Sequence, residues 1–127
     1  MKKVDFEYFA PGQYIYYDVG RIMQIENLLK KGIGEIASEQ ALNMSSLCVM
    51  LAVGLRHHGF KSPDTIAPLL QKAMDDGVDI QDVQIPVVKA LAASGALGKK
   101  VYYQIFPEEL TEDKEAELQK EEAAKNE

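Results

Sequence analysis

The sequence has only one cysteine, no tryptophan and no long apolar run. Because a disulfide or a cysteine-based zinc site needs more than one thiol, Cys48 can form neither within this chain. No window approaches the ~20 apolar residues of a membrane helix, and the acidic residues Asp5 and Glu7 argue against a signal peptide at the N-terminus. These absences predict a cytoplasmic protein with no membrane partner.

The net negative charge of the chain comes from its C-terminal end. Residues 1–106 contain 11 Lys and Arg and 11 Asp and Glu, whereas residues 107–127 contain 9 acids and 3 lysines, which gives the net charge of −6. A neutral body with an acidic tail lacks the clustered Lys and Arg that neutralise nucleic-acid phosphates. We therefore predict no nucleic-acid partner. We also predict a domain of residues 1–106 and an acidic tail of residues 107–127 that is either helical or disordered.

The N-terminal residues have the pattern of a β-hairpin. Residues 4–9 alternate between apolar and polar before turning aromatic, and residues 14–17 are strand formers. Between them, Pro11 and Gly12 suit the two central positions of a type II turn. An isolated hairpin is marginally stable, so we expect this one to pack on the helices that follow. Residues 101–106 also have strand composition, and they either pair with this hairpin or pack as an extended arm.

Apolar residues at helical spacing predict the first core helices after the hairpin. One helix begins at Asp18 as N-cap and ends near Gly32, and a short helical turn follows at residues 33–37. Residues 43–58 are apolar on both faces, which predicts the central and most buried helix. Gly59 ends it.

Two more helices begin at recognisable caps. Ser62, followed by Pro63, starts one helix, and Asp79 starts the last core helix. That last helix contains Pro86, so it is either kinked there, which is the interpretation we favour, or begins near Ile85. The predicted fold is mainly α, with a small N-terminal β-hairpin packed on a bundle of about four helices.

Three residues invite a metal or nucleophile hypothesis, namely Cys48, His57 and His58. Cys48 precedes His57 by nine residues, about 13 Å along a helix, so the two cannot bind one ion. A thiol on an apolar helix is typical of a core residue, and histidines at a helix C-terminus are favoured by the dipole. The sequence therefore predicts no catalytic residue, no metal ligand and no cofactor, and hence a protein that is not an enzyme.

The helices predicted at residues 62–73 and 79–94 are joined by a short turn, which leaves open a small helix-turn-helix-like transcription regulator. A recognition helix presents Arg, Lys, Asn or Gln to base edges. The second helix offers two glutamines and Lys89, but these lie beside two aspartates.

Several short motifs follow one another in a recognisable order. After the hairpin come Asp-x-x-x-Ile-x-x-Ile-Glu at residues 18–26 and a glycine-containing junction at residues 32–36. Leu-Ala-Val-Gly-Leu-Arg-His-His then occupies residues 51–58, and Ser-Pro-Asp-Thr occupies residues 62–65. Over roughly residues 4–95, this order resembles the tail assembly chaperones of long-tailed bacteriophages and prophages.

The resemblance implies a mostly helical fold and a non-enzymatic function in the bacterial host cytoplasm. Members of that family bind the tape measure protein and keep it soluble until tail tube subunits polymerise around it. They are absent from the finished virion, and many are made in two lengths by ribosomal frameshifting. The implied partner is the tape measure protein, while the tail tube protein and a homo-oligomer stay open as further partners. A structural tail or connector component is the remaining alternative.

Such a function needs exposed apolar area for a client and a charged segment for solubility. Six of the ten aromatic residues lie within residues 6–17. A two-stranded sheet can bury only one face, so some of these rings are open to a partner unless all six cover the core. The predicted protein-binding residues are Tyr14 and Tyr16 of the hairpin together with Leu47, Met50 and Leu51 of the central helix.

Overall fold

The computed structural model describes residues 2–38, 43–59 and 62–125. Within these ranges the chain forms two strands, seven α-helices and two 3₁₀ turns. The elements are β1 (Val4–Asp5), β2 (Tyr14–Ile15), α1 (Val19–Leu29), α2 (Ile33–Ser38), α3 (Met44–Gly54), α4 (Pro63–Asp75), α5 (Ile80–Ala93), α6 (Lys99–Ile105) and α7 (Glu112–Lys125), with 3₁₀ turns at Arg56–His58 and Pro107–Glu109. The predicted mainly α fold with a small N-terminal hairpin is confirmed. The described residues form more helices than the predicted bundle of about four. The additional ones are the short helices α2 and α6 and the helix α7 of the acidic tail.

The hairpin is much shorter than its sequence pattern. β1 and β2 are antiparallel, and Val4 pairs with Ile15. Gly12 has φ of +77° after Pro11, as a type II turn requires. The ladder ends at Asp5, although the backbone N–H of Phe6 still donates to the Gln13 carbonyl at 2.9 Å, and the Phe6 ring is buried in the core.

The first helix begins at the predicted cap but ends earlier than predicted. The Asp18 carboxylate accepts the backbone N–H of Arg21 at 2.8 Å. Lys30 takes the left-handed conformation that ends α1, with φ of 57°, so the predicted stop near Gly32 is wrong. The Glu26 carboxylate accepts the N–H of Ile33 at 2.8 Å, which ties the end of α1 to the start of α2.

The central position of α3 is confirmed. It packs against α1, α4, α5 and β2, and eight of its eleven residues are buried. A side chain at Gly54 would place its Cβ 3.0 Å from the Tyr17 hydroxyl oxygen, so the buried Tyr17 ring would have to shift to accept it. The helix ends there, a turn before the predicted residue 58. Gly59, with φ of +99°, ends the following 3₁₀ turn.

The helix α5 is continuous across Pro86. It begins at the predicted Asp79 cap, whose carboxylate accepts the N–H of Gln81 at 2.9 Å. The alternative start near Ile85 is therefore wrong. The chain forms one helix that contains Pro86.

Residues 101–106 do not form a strand, so that prediction is wrong. Residues 101–105 belong to α6, which follows Gly98 at φ of +90°, and Phe106 is its C-cap, whose N–H donates to the Tyr102 carbonyl at 2.9 Å. Tyr102 and Phe106 lie one helical turn apart beside the Lys2 ammonium group. Val101 and Ile105 lie one turn apart beside α5. Packing at a spacing of four residues thus overrides the strand preference of these side chains.

The acidic tail forms the helix α7, which is the helical form of the two predicted. Its described side chains are exposed apart from the half-buried Leu118. Two exposed ion pairs connect it to α6, from Lys99 to Glu121 at 2.9 Å and from Lys100 to Glu122 at 3.7 Å. No helix in the described part of the chain is long and apolar enough to cross a bilayer.

Candidate functional site

Three of the five predicted binding residues lie in the core. Leu47, Met50 and Leu51 are each at most 1% exposed. The prediction that they form part of an accessible surface is wrong for the folded chain, because neighbouring elements cover both faces of α3.

The other two predicted residues, Tyr14 and Tyr16, are half-buried in an aromatic cluster with the histidine pair. The ring centres of Tyr14 and His57 are 4.5 Å apart, and those of Tyr16 and His57 are 5.0 Å apart. The N–H of Tyr14 donates to the Nε2 atom of His58 at 3.2 Å. The histidines therefore hold the hairpin against the end of α3, and the tyrosines offer edges rather than open faces.

A buried arginine lies beneath this cluster. Arg21 is 3% exposed, and its Nη1 donates to the carbonyls of Val53 at 3.1 Å and Gly54 at 3.0 Å. Its Nη2 donates to the Tyr16 hydroxyl at 2.7 Å. Cationic donors satisfy the unpaired carbonyls of a helix C-terminus. Sequence reasoning missed this residue, although its position four residues before the buried Ile25 places it on the core face of α1.

These surroundings determine the protonation of the titratable residues. Although the His57 side chain is exposed by surface area, desolvation within the aromatic cluster, followed by electrostatic repulsion from His58 and Arg21, lowers the pKa of His57 to about 4, so His57 is neutral at pH 7. Burial also raises the pKa of the half-buried Cys48 thiol, which keeps the less nucleophilic thiol form. Among the residues described, no group of three or more His, Cys, Asp and Glu is arranged around a common metal position.

A large apolar opening lies along α5. Ile85 is 61% exposed and Val88 is 42% exposed. They belong to two adjoining depressions, of about 850 Å³ and about 470 Å³, that share Gln84 and Val88. We call these depressions together the α5 groove, and its principal lining residues are Ile80, Gln81, Ile85, Val88, Lys89, Leu91, Leu97, Val101 and Ile105.

The groove exists because α6 is too short to cover α5. The seven residues of α6 span about 10 Å, whereas the fourteen residues of α5 span about 21 Å. Ala92 is fully buried near the C-terminal end of α5, while Ile85, two turns earlier on the same stripe, is open. The apolar stripe of α5 is therefore covered near its C-terminal end and exposed at Ile85.

The hairpin contributes one aromatic ring beside the groove. Tyr8 is 40% exposed, and with Ile85 it lines a third depression of about 610 Å³ on the hairpin side of α5. Its hydroxyl donates to the Asp82 carbonyl at 3.4 Å. Phe6 and Tyr17 are buried, and the remaining three rings are half-buried. The prediction that some hairpin rings stay outside the core therefore holds, with Tyr8 as the most open ring.

The same face of α5 bears on the helix-turn-helix alternative. A recognition helix exposes polar and cationic side chains for base edges. The exposed centre of α5 instead presents Ile85 and Val88, and Lys89 is the one basic residue of this helix. This surface does not favour DNA binding.

Comparison with known proteins finds no family model that matches the chain, no similar curated protein and no similar solved structure. The function is therefore inferred from the residues that line the α5 groove and from the geometry of this groove.

Proposed function

We propose that this protein is a tail assembly chaperone of a phage or prophage. It binds the tape measure protein in the bacterial host cytoplasm, keeps it soluble during tail tube assembly and is not part of the finished virion. It acts by binding and not as an enzyme. The observation that carries this proposal is the α5 groove, an open apolar surface beside a short helix.

The shape and composition of the groove suit a helical client. A groove between two helices accepts the apolar face of an amphipathic helix, whose anchors recur every three or four residues. Ile85 and Val88 have the same spacing on α5. Covering the open part of each side chain contributes roughly 1 kcal/mol. A single groove of this size gives a weak, reversible contact, as a chaperone that later releases its client requires.

The acidic tail supports the second half of the function. A long apolar client aggregates when exposed, and added Asp and Glu improve solubility more than added Lys and Arg. The exposed α7 carries six acids and three lysines, which is half of the net charge of −6, and its residues are absent from the lining of the α5 groove. A bound client would therefore lie on one surface while the charge remains in solvent.

Co-expression with the tape measure protein encoded downstream in the same gene cluster tests the proposal. We expect the soluble fraction of the client after centrifugation to rise with the wild-type protein and to fall with Ile85→Asp. Val19→Asp is the matched control, because Val19 is 75% exposed on α1, outside the groove lining. Circular dichroism should show equal helicity for both variants. Met50→Asp is not a suitable test, since it would place a carboxylate in the core.

Two results would contradict the proposal. One is a client whose soluble fraction is the same with and without the wild-type protein. The other is the presence of the protein in purified, finished particles, which would instead support a structural tail or connector component.

A further inference from the structure

The charges around the α5 groove are unevenly placed. Of the described residues that line it, Lys89 alone is charged, and it lines only the larger depression. The smaller depression lies toward Ile36 and Ala37 of α2, and no charged residue is among the described residues that line it. The groove therefore has a cationic end and a neutral end.

Lys89 is free to pair with a ligand. It forms no ion pair with any described residue, and its ammonium nitrogen lies 5.6 Å from the ring centre of Phe106. The nearby carboxylates of Asp82 and Glu108 line the depression on the hairpin side, which Lys89 also borders, and not the groove itself. A cation beside an aromatic ring at the edge of an apolar surface is a suitable position for an incoming carboxylate.

We infer that the α5 groove selects an amphipathic client helix with an acidic residue at one end of its apolar stripe, and that the ion pair with Lys89 fixes the direction in which this helix lies. This inference rests on the proposed function and adds to it the charge pattern and orientation of the client segment. A helix with the acidic residue at the opposite end of its stripe would place that carboxylate over the neutral depression, where it loses solvation without gaining a partner.

Three synthetic peptides test this orientation. Each has about 16 residues, blocked termini, a fluorescent label and leucines at alternating spacings of three and four, which gives one apolar stripe. The first has Glu beyond the N-terminal end of the stripe, the second has Glu beyond the C-terminal end, and the third has Gln at both positions. Binding is measured by fluorescence anisotropy with the full chain, the variants Lys89→Gln and Lys89→Glu, and the control Lys72→Gln on the exposed face of α4.

One of the two Glu peptides should bind the wild-type protein about two- to fivefold more tightly than the Gln peptide, which is the range for a partly exposed ion pair. The other Glu peptide should show no such gain. The preference should disappear in Lys89→Gln, reverse in Lys89→Glu and persist in Lys72→Gln. It should also weaken at high salt, because exposed charge pairs are screened.

Equal binding of all three peptides would overturn the inference, as would a preference that persists in Lys89→Gln or a failure of every peptide to bind. The proposed function is judged separately. If Ile85→Asp abolishes client solubilisation while Lys89→Gln leaves peptide preference unchanged, the groove is the client site and only the charge selection is wrong. If the wild-type protein does not solubilise the client, the proposed function itself fails.

Discussion

Among single residues, Arg21 bonds both to Tyr16 and to the carbonyls at the end of α3, and no sequence pattern indicates these contacts. Replacement by Met removes the charged donor to the Val53 and Gly54 carbonyls at the buried end of α3. We expect the free energy of unfolding in urea to fall by about 1–3 kcal/mol. Arg56→Met is the control, because Arg56 is exposed and bonds only to the Gln24 side chain among the residues described. Equal losses in both variants would show that the Arg21 contacts contribute nothing special.

His57 predicts how stability depends on pH. Its pKa is about 4 in the folded protein, below the ordinary value of 6.5. Between these pH values the unfolded chain binds a proton that the folded chain does not, so stability is lost as pH falls from 6.5 toward 4. We expect the stability of the wild-type protein to decrease more steeply over this range than that of His57→Gln, with equal slopes above pH 7. The same slope in both proteins, measured by urea unfolding at each pH, would contradict this.

The contrast between helix caps and Arg21 shows which residue roles the sequence can predict. Asp18 and Asp79 accept N–H groups two or three residues away, so their role depends on local spacing that the sequence displays. Arg21 acts on carbonyls more than thirty residues away. No local pattern contains that information.

At the scale of elements, α4 forms although it contains Pro68, a residue that disfavours the interior of a helix. Pro68 lies inside α4, where it lacks the N–H that would bond to the Asp64 carbonyl, and its side chain is exposed. We expect Pro68→Ala to raise the free energy of unfolding by about 2 kcal/mol, because helix propensity gains more than the unfolded chain regains in entropy. Pro11→Ala, at a turn position that suits proline, should give no gain. A Pro68→Ala variant no more stable than wild type would contradict the expectation.

Two helices with misleading composition show where element prediction succeeds and fails. In α5 the apolar residues keep a helical period across Pro86, and that period correctly predicted the element. At α6 and its C-cap, the six residues 101–106 are too few to distinguish a period of 2 from 3.6. Their strand-forming side chains were therefore misleading, and contacts with Lys2 and α5 decide the outcome.

At the scale of the whole molecule, the binding surface depends on lengths that no single segment reveals. The apolar residues of α3 and α5 look alike in the sequence, yet eight of the eleven residues of α3 are buried whereas only five of the fourteen residues of α5 are. Sequence reasoning therefore placed three of its five site residues on α3, of which only Met50 lines the groove, and it did not include Ile85 or Val88. This difference in burial between α3 and α5 can be recognised only once α6 is known to be a short helix.

The acidic tail gives the last prediction, because its attachment and its charge can be separated. A chain that ends at Leu110 keeps 11 basic and 13 acidic residues, so its net charge changes from −6 to −2. Since α7 is attached to α6 by exposed ion pairs, its removal should change the free energy of unfolding by less than about 1 kcal/mol. The soluble fraction of a co-expressed client should nevertheless fall. A full-length variant with the seven acids of residues 111–127 changed to Gln should reproduce that fall if charge is responsible. If only the truncation lowers client solubility, the tail contributes contacts rather than charge.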